Sequence, residues 1–97
     1  MQSLADTYAA EFGVNAEHLK ETIAHESGWK NVKSNFDEES VGVCQINLDY
    51  HPEISSEQAW NPRFCIKWMA EQFSKGHAYW WVAWRCLYTE NCPVKRE

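Results

Sequence analysis

Helix starts and stops are written into this chain by residue type, and they leave little freedom in how it divides. Leu4, Ala5, Tyr8, Ala9 and Phe12 form an apolar stripe at helical spacing, and Gly13 follows it. A glycine there closes a helix because it enters the left-handed region with no Cβ clash. Asn15 is suited to cap the next helix, with His18 where a capping-box acid would sit. The apolar face of that helix is Leu19, Ile23 and the position of Glu26, and Gly28 ends it. Ser55 with Gln58 three residues on is a capping box for a short helix through Trp60. Asn61-Pro62 pairs an N-cap with proline at the first helical position. Phe64, Cys65, Trp68, Met69, Gln72 and Phe73 then recur at helical spacing up to Gly76. A last short helix is predicted from Tyr79 to Leu87, aromatic on several sides and therefore largely buried or lining a cleft.

Two stretches escape the helical pattern. Asn31 to Glu39 is polar, with Asp37, Glu38 and Glu39 as a local acidic cluster of the kind found in solvated loops. Val41 to Ile46 is short, apolar and β-capable, with Gly42 permitting a tight path, so it reads as an extended segment or a hairpin arm. No repeat or low-complexity linker interrupts the chain. The expectation is one mainly α domain spanning residues 1–97, with a minor β-hairpin or extended segment beside the second helix.

Size and charge narrow the class. Ninety-seven residues lie near the small end for a self-sufficient core. Six tryptophans, four tyrosines and four phenylalanines provide large areas to bury. A net charge of -5 argues against a nucleic-acid partner, which calls for a basic face. No apolar run is long enough to span a membrane, so no membrane insertion is expected. The segment from Met1 is polar and helical in pattern rather than a signal peptide. That fits an excised domain or a protein exported by another route.

Glu26 is the residue to which chemistry attaches most readily. It continues the Leu19–Ile23 stripe at the end of its helix. A carboxylate directed toward a core has its proton affinity raised by desolvation, which makes a general acid wherever a substrate can reach it. The plain alternative is a helix-terminal glutamate near solvent. His25 beside it resembles a zinc-protease motif only superficially, since Trp29 stands where the second histidine belongs. His51, before Pro52, reads as a surface-loop residue that can reach a cleft rim, and His18 and His77 as helix-end residues. No metal site is expected, because the cysteines lack metal-ligand spacing. Cys86 and Cys92 bracket a polar turn and are candidates for a disulfide, whereas Cys44 and Cys65 lie on apolar stretches as buried thiols or a second bridge.

Three blocks carry a family resemblance. The first is Leu4-Ala5-Asp6-Thr7-Tyr8-Ala9, then Phe12-Gly13-Val14, then Ile23-Ala24-His25-Glu26-Ser27-Gly28-Trp29. The second is Ser40-Val41-Gly42-Val43-Cys44-Gln45-Ile46-Asn47, which looks like a glycine-x-x-glutamine-isoleucine signature. The third is Asn61-Pro62-Arg63-Phe64 through Met69. Together, in this order and from about Leu4 to Arg85, they resemble the soluble lytic transglycosylase domain, of which goose-type lysozymes are relatives.

The resemblance implies a lysozyme-like helical domain with Glu26 as the single catalytic acid/base. Glu26 would protonate the β-1,4 glycosidic oxygen between N-acetylmuramic acid and N-acetylglucosamine. It would then take a proton from the muramyl 6-hydroxyl, which closes to an anhydro sugar. One carboxyl suffices for this, where ordinary glycosidases use two. The same resemblance places Gln45 and Asn47 in a sugar groove. The alternative for Gln45 is a glutamine satisfying the loop backbone. Ser34 stands near the family's active-site serine with a spacing one residue shorter, and an ordinary turn serine is its alternative. Trp80-Trp81-Val82-Ala83-Trp84-Arg85 aligns with the family's final Ala-Tyr-Asn segment and puts Trp84 in place of a tyrosine. An indole only donates, so Trp84 would stack on a sugar or wall the pocket rather than relay protons. Trp60, Trp80 and Trp81 read as core.

Asp37 is the first candidate for a second carboxylate, which would make the outcome hydrolytic, as in a muramidase. A non-catalytic peptidoglycan-binding module is the alternative from another class, and a helical interaction domain using exposed aromatics a weaker third. No cofactor is implied, since acid/base chemistry on a sugar needs no metal. The expected partner is the peptidoglycan glycan strand and the expected state a monomer. The expected location is periplasmic, extracellular or wall-associated, in a bacterium or as a phage endolysin. The polymer carries carboxylates and the chain is acidic, so tight electrostatic capture is not expected.

Overall fold

In a computed structural model, which describes residues 1–34 and 39–93, five helices surround one short hairpin. In chain order they are α1 (Gln2–Phe12), α2 (Ala16–Ser27), β1 (Ser40–Val41), β2 (Ile46–Asn47), α3 (Ser56–Ala59), α4 (Pro62–Ser74) and α5 (Val82–Tyr88). A single 3-10 turn, Ala78–Trp80, precedes α5. The fold is mainly α with a small antiparallel hairpin, as expected from the punctuation.

The caps behave as their residue types require. Gly13 and Gly28 close α1 and α2 in the left-handed conformation. The Asn15 side chain accepts from the His18 N–H, and the Asn61 side chain from the Phe64 N–H. Ser55 and Gln58 form the reciprocal capping box, with Trp60 as the C-cap of α3.

One boundary differs from expectation. The predicted helix from Tyr79 to Leu87 is split, because Trp81 is extended (φ -95°, ψ 121°) between the 3-10 turn and α5. This conformation buries Trp81 to 5% exposure and lets its indole N–H donate to the Cys44 carbonyl at 2.8 Å. A tertiary hydrogen bond outweighs local helical continuity there.

Packing follows from side-chain size. On α1 the fully buried positions are the alanines, Ala5 and Ala9, which let the helix lie close against both α2 and α4. Leu4, Tyr8 and Phe12 pack at the edges. Leu19 and Ile23 of α2 and Cys65, Ile66, Met69 and Ala70 of α4 fill the centre. Burying a Leu or Ile side chain contributes about 1.5–3 kcal/mol, so these few residues supply much of what holds so small a domain together. α2 also lies against α5. Trp60 is half-buried, but Trp80 is 38% exposed, which corrects its reading as core. It stacks instead on the His77 ring at 4.1 Å, with His51 at 4.9 Å, in a surface aromatic cluster that leaves His51 half-buried.

The hairpin pairs Ser40 with Asn47 and Val41 with Ile46, and Lys33 bridges to Val41 on the other side. Between the strands, residues 42–45 pass through the interior. Gly42 has φ 85°, and a Cβ on it would sit 2.1 Å from the Ala59 carbonyl oxygen. Gly42→Ala therefore meets both a forbidden backbone and a fixed obstacle, and should cost on the order of 2–4 kcal/mol. Gly13→Ala, at φ 69° with nothing within 4 Å of the new Cβ, should cost only about 1 kcal/mol. Urea unfolding of both variants checks the contrast, and equal losses would contradict the close approach at Gly42.

Candidate functional site

The last turn of α2, the segment that follows it and the 42–45 loop enclose a cleft of about 380 Å³. It is lined by Glu26, Ser27, Lys30, Val32, Lys33, Ser34 and Gln45. Three residues singled out from sequence, Glu26, Ser34 and Gln45, thus meet at one site although up to 19 positions separate them in sequence.

Glu26 is half-buried, and its Oε2 accepts from the Ala83 N–H of α5 at 3.3 Å. The first N–H groups of a helix have no intrahelical partner, and Trp81, the N-cap of α5, offers no side-chain bond. The carboxylate supplies that acceptor from another helix and is held in place by doing so. Gly28 (φ 63°) and Trp29 (φ 64°) then turn the chain sharply, so that residues 30–34 fold back past Glu26.

Gln45 has φ 55°. Its Nε2 donates to the Gly42 carbonyl at 2.8 Å and the Val32 carbonyl at 2.9 Å. Both readings of Gln45 therefore hold in part: the amide nitrogen serves the loop backbone, and the side chain still lines the cleft. Among the described residues Oε1 makes no hydrogen bond, so an acceptor remains for a ligand. Ser34 lines the cleft with its N–H donating to the Ser40 carbonyl at 2.9 Å.

Two residues expected in the groove do not line this cleft. The Asn47 Oδ1 accepts from the N–H groups of Asp49 and Tyr50 at 2.9 and 3.2 Å, which makes Asn47 the organiser of the turn after β2. Trp84 does not line the cleft either. From α5 the Ala83 backbone N–H reaches Glu26, and that bond does not depend on which way the side chains face. Trp84 is half-buried against the core, its ring 6.1 Å from that of Tyr88. Asp37 lies outside the described residues. Cys86 and Cys92 are bridged, with Cα atoms 4.4 Å apart. Among the described residues no group of three or more His, Cys, Asp or Glu side chains could hold a metal ion. No helix there is long and apolar enough to cross a membrane.

Ser27, Lys30 and Lys33 were not anticipated. The Ser27 hydroxyl donates to the Val43 carbonyl at 2.6 Å and approaches the Ile23 carbonyl less closely, at 3.3 Å. It therefore ties the end of α2 to the loop that carries Gln45. Lys30 and Lys33 bring two positive charges to the cleft of a chain with net charge -5, and neither is in an ion pair among the described residues. Their signal was available: two lysines follow the acid within one short segment while the acidic cluster comes after them.

Comparison with known proteins finds no match, whether to family models, curated proteins or solved structures.

Trp81→Phe keeps an aromatic side chain but removes the donor to the buried Cys44 carbonyl and some buried volume, and should cost about 1–3 kcal/mol or more. Ser27→Ala should cost about 1 kcal/mol. Denaturant midpoints measure both, and a Trp81→Phe protein as stable as the parent would show that the carbonyl finds another partner.

Proposed function

We propose that this protein is a peptidoglycan lytic transglycosylase that cleaves the β-1,4 bond between N-acetylmuramic acid and N-acetylglucosamine, with Glu26 as its acid/base. The observation that carries the reading is the convergence of Glu26, Ser34 and Gln45 on one cleft, joined to the resemblance of the sequence blocks that contain them. A half-buried carboxyl that accepts the Ala83 N–H and lines a cleft open to a ligand suits acid/base chemistry on a sugar.

In this reading the Glu26 carboxyl gives its proton to the glycosidic oxygen as the bond to the muramyl anomeric carbon breaks. The muramyl 6-hydroxyl then bonds to that carbon and returns its proton to Glu26. The products are a 1,6-anhydro-muramyl end and a free N-acetylglucosamine hydroxyl, with no water consumed. The Gln45 Oε1 is placed to accept from a hydroxyl or an N-acetyl N–H. Lys30 and Lys33 suit the carboxylates of the wall polymer, so the acidic net charge does not govern capture at the cleft itself. This function places the protein in the periplasm, outside the cell or at the wall.

Glu26→Gln retains an acceptor for the Ala83 N–H, so the fold should persist while wall clearing falls by on the order of 10²–10⁴-fold. Full turnover by this variant would remove Glu26 from catalysis. Mass analysis of muropeptides released from purified sacculi reads the reaction itself. Anhydro-muramyl ends are expected. Reducing muramic acid ends would make the protein a hydrolytic muramidase, and binding without release would make it a glycan-binding module.

A further inference from the structure

Two cysteines remain outside the Cys86–Cys92 bridge, and neither lines the cleft. Cys44 lies on the loop between the strands, Cys65 on α4, and both side chains are completely buried. Across that boundary the Cys44 S–H donates to the Cys65 Sγ at 2.9 Å. A covalent S–S bond is about 2.05 Å long, so the sulfurs already face each other within roughly 1 Å of bonding distance. Among the described residues no third ligand joins them to make a metal site. Their protons are held unevenly. Burial pushes the Cys44 thiol well above its usual value, with the Cys65 sulfur and Glu26 adding to the effect. The hydrogen bond from Cys44 holds Cys65 below its usual value, against its own desolvation.

We infer that Cys44 and Cys65 form a second disulfide, made during folding, which ties the Gln45 loop covalently to α4. One thiolate of the pair attacks the disulfide of an oxidoreductase or of a small-molecule disulfide and releases one thiol. The other sulfur then attacks the protein sulfur of that mixed disulfide and releases the second. Two protons and two electrons leave the pair, and the acceptor disulfide becomes two thiols. Both sulfurs are closed to solvent in the finished fold, so the exchange precedes closure of the core. An acceptor of this class is the one that oxidises Cys86 and Cys92. The Cys44–Cys65 bridge spans 21 positions, against 6 for Cys86–Cys92. It therefore restricts the unfolded chain more, which matters most in a domain with a small core. This inference is independent of the proposed activity.

The test is thiol mapping of the full chain folded in an oxidising compartment or refolded in a glutathione redox buffer. After denaturation with N-ethylmaleimide present, no thiol should be alkylated, and an unreduced digest should contain a Cys44–Cys65 linked peptide. Alkylation of both residues with Cys86–Cys92 intact would overturn the inference, as would any other pairing. In the Cys86→Ser, Cys92→Ser background, adding a reductant should lower Tm by on the order of 10 °C. A Tm unchanged by reductant would also overturn it.

Discussion

Residues 42–44 are irregular backbone that is nonetheless buried, and the rest of the site depends on how that conflict is resolved. A buried carbonyl without a strand or helix around it must find a donor or forfeit its hydration. Here each carbonyl finds one. Gly42 is bound by Gln45 through both its N–H and its side-chain amide, Val43 by the Ser27 hydroxyl, and Cys44 by the Trp81 indole. The donors come from the loop itself, from the end of α2 and from the residue that starts α5. Satisfying the loop therefore also fixes the ends of the two helices that bring Glu26 and Ala83 together. The Cys44–Cys65 contact adds a fourth anchor, to α4.

The junction of α2 and α5 shows the same economy at a helix end. Trp81 occupies the N-cap of α5 but is committed to the loop, and an indole has no oxygen to offer a helix N–H. The missing acceptor is the Glu26 carboxylate. The position of the acid thus follows from a structural need, independently of any substrate. This explains why a carboxylate can sit half-buried at the end of an apolar stripe, and why glutamine, which keeps an acceptor, is the informative replacement.

What was legible in the sequence is what local chemistry decides. Gly13, Asn15, Gly28, the Ser55–Gln58 box and Asn61-Pro62 each act within a few residues of themselves, so helix boundaries could be read from residue type alone. The convergence of Glu26 and Gln45 was legible only through the order of the sequence blocks. Where expectation failed, a distant partner was responsible. The Trp81 bond to Cys44 interrupts a helix that its neighbours favour. Trp84 packs against the core cluster, with Tyr88 beside it, instead of lining the cleft. Asn47 was assigned to a groove because of the block it closes, yet its side chain is taken up by the N–H groups of Asp49 and Tyr50 in the turn that follows. Ser27 gave no sign of its tether, since the Val43 carbonyl lies 16 positions along the chain.

Backbone strain marks the same place. Among the described residues, Trp29 and Gln45 are the non-glycine residues with positive φ, and both belong to the segments that bound the cleft. A conformation of this kind costs of order 1–3 kcal/mol and persists only where its surroundings over-determine it. For Gln45 the offset is visible: its side-chain amide adds a second donor to the Gly42 and Val32 carbonyls, each of which also accepts a backbone N–H. Because that amide nitrogen is committed to structure, Gln45 can present only an acceptor to a ligand. Donors to a ligand, and any positive charge toward it, must then come from the other wall. Lys30 and Lys33 stand there, four and seven positions beyond Glu26, after the left-handed Gly28 and Trp29 have turned the backbone.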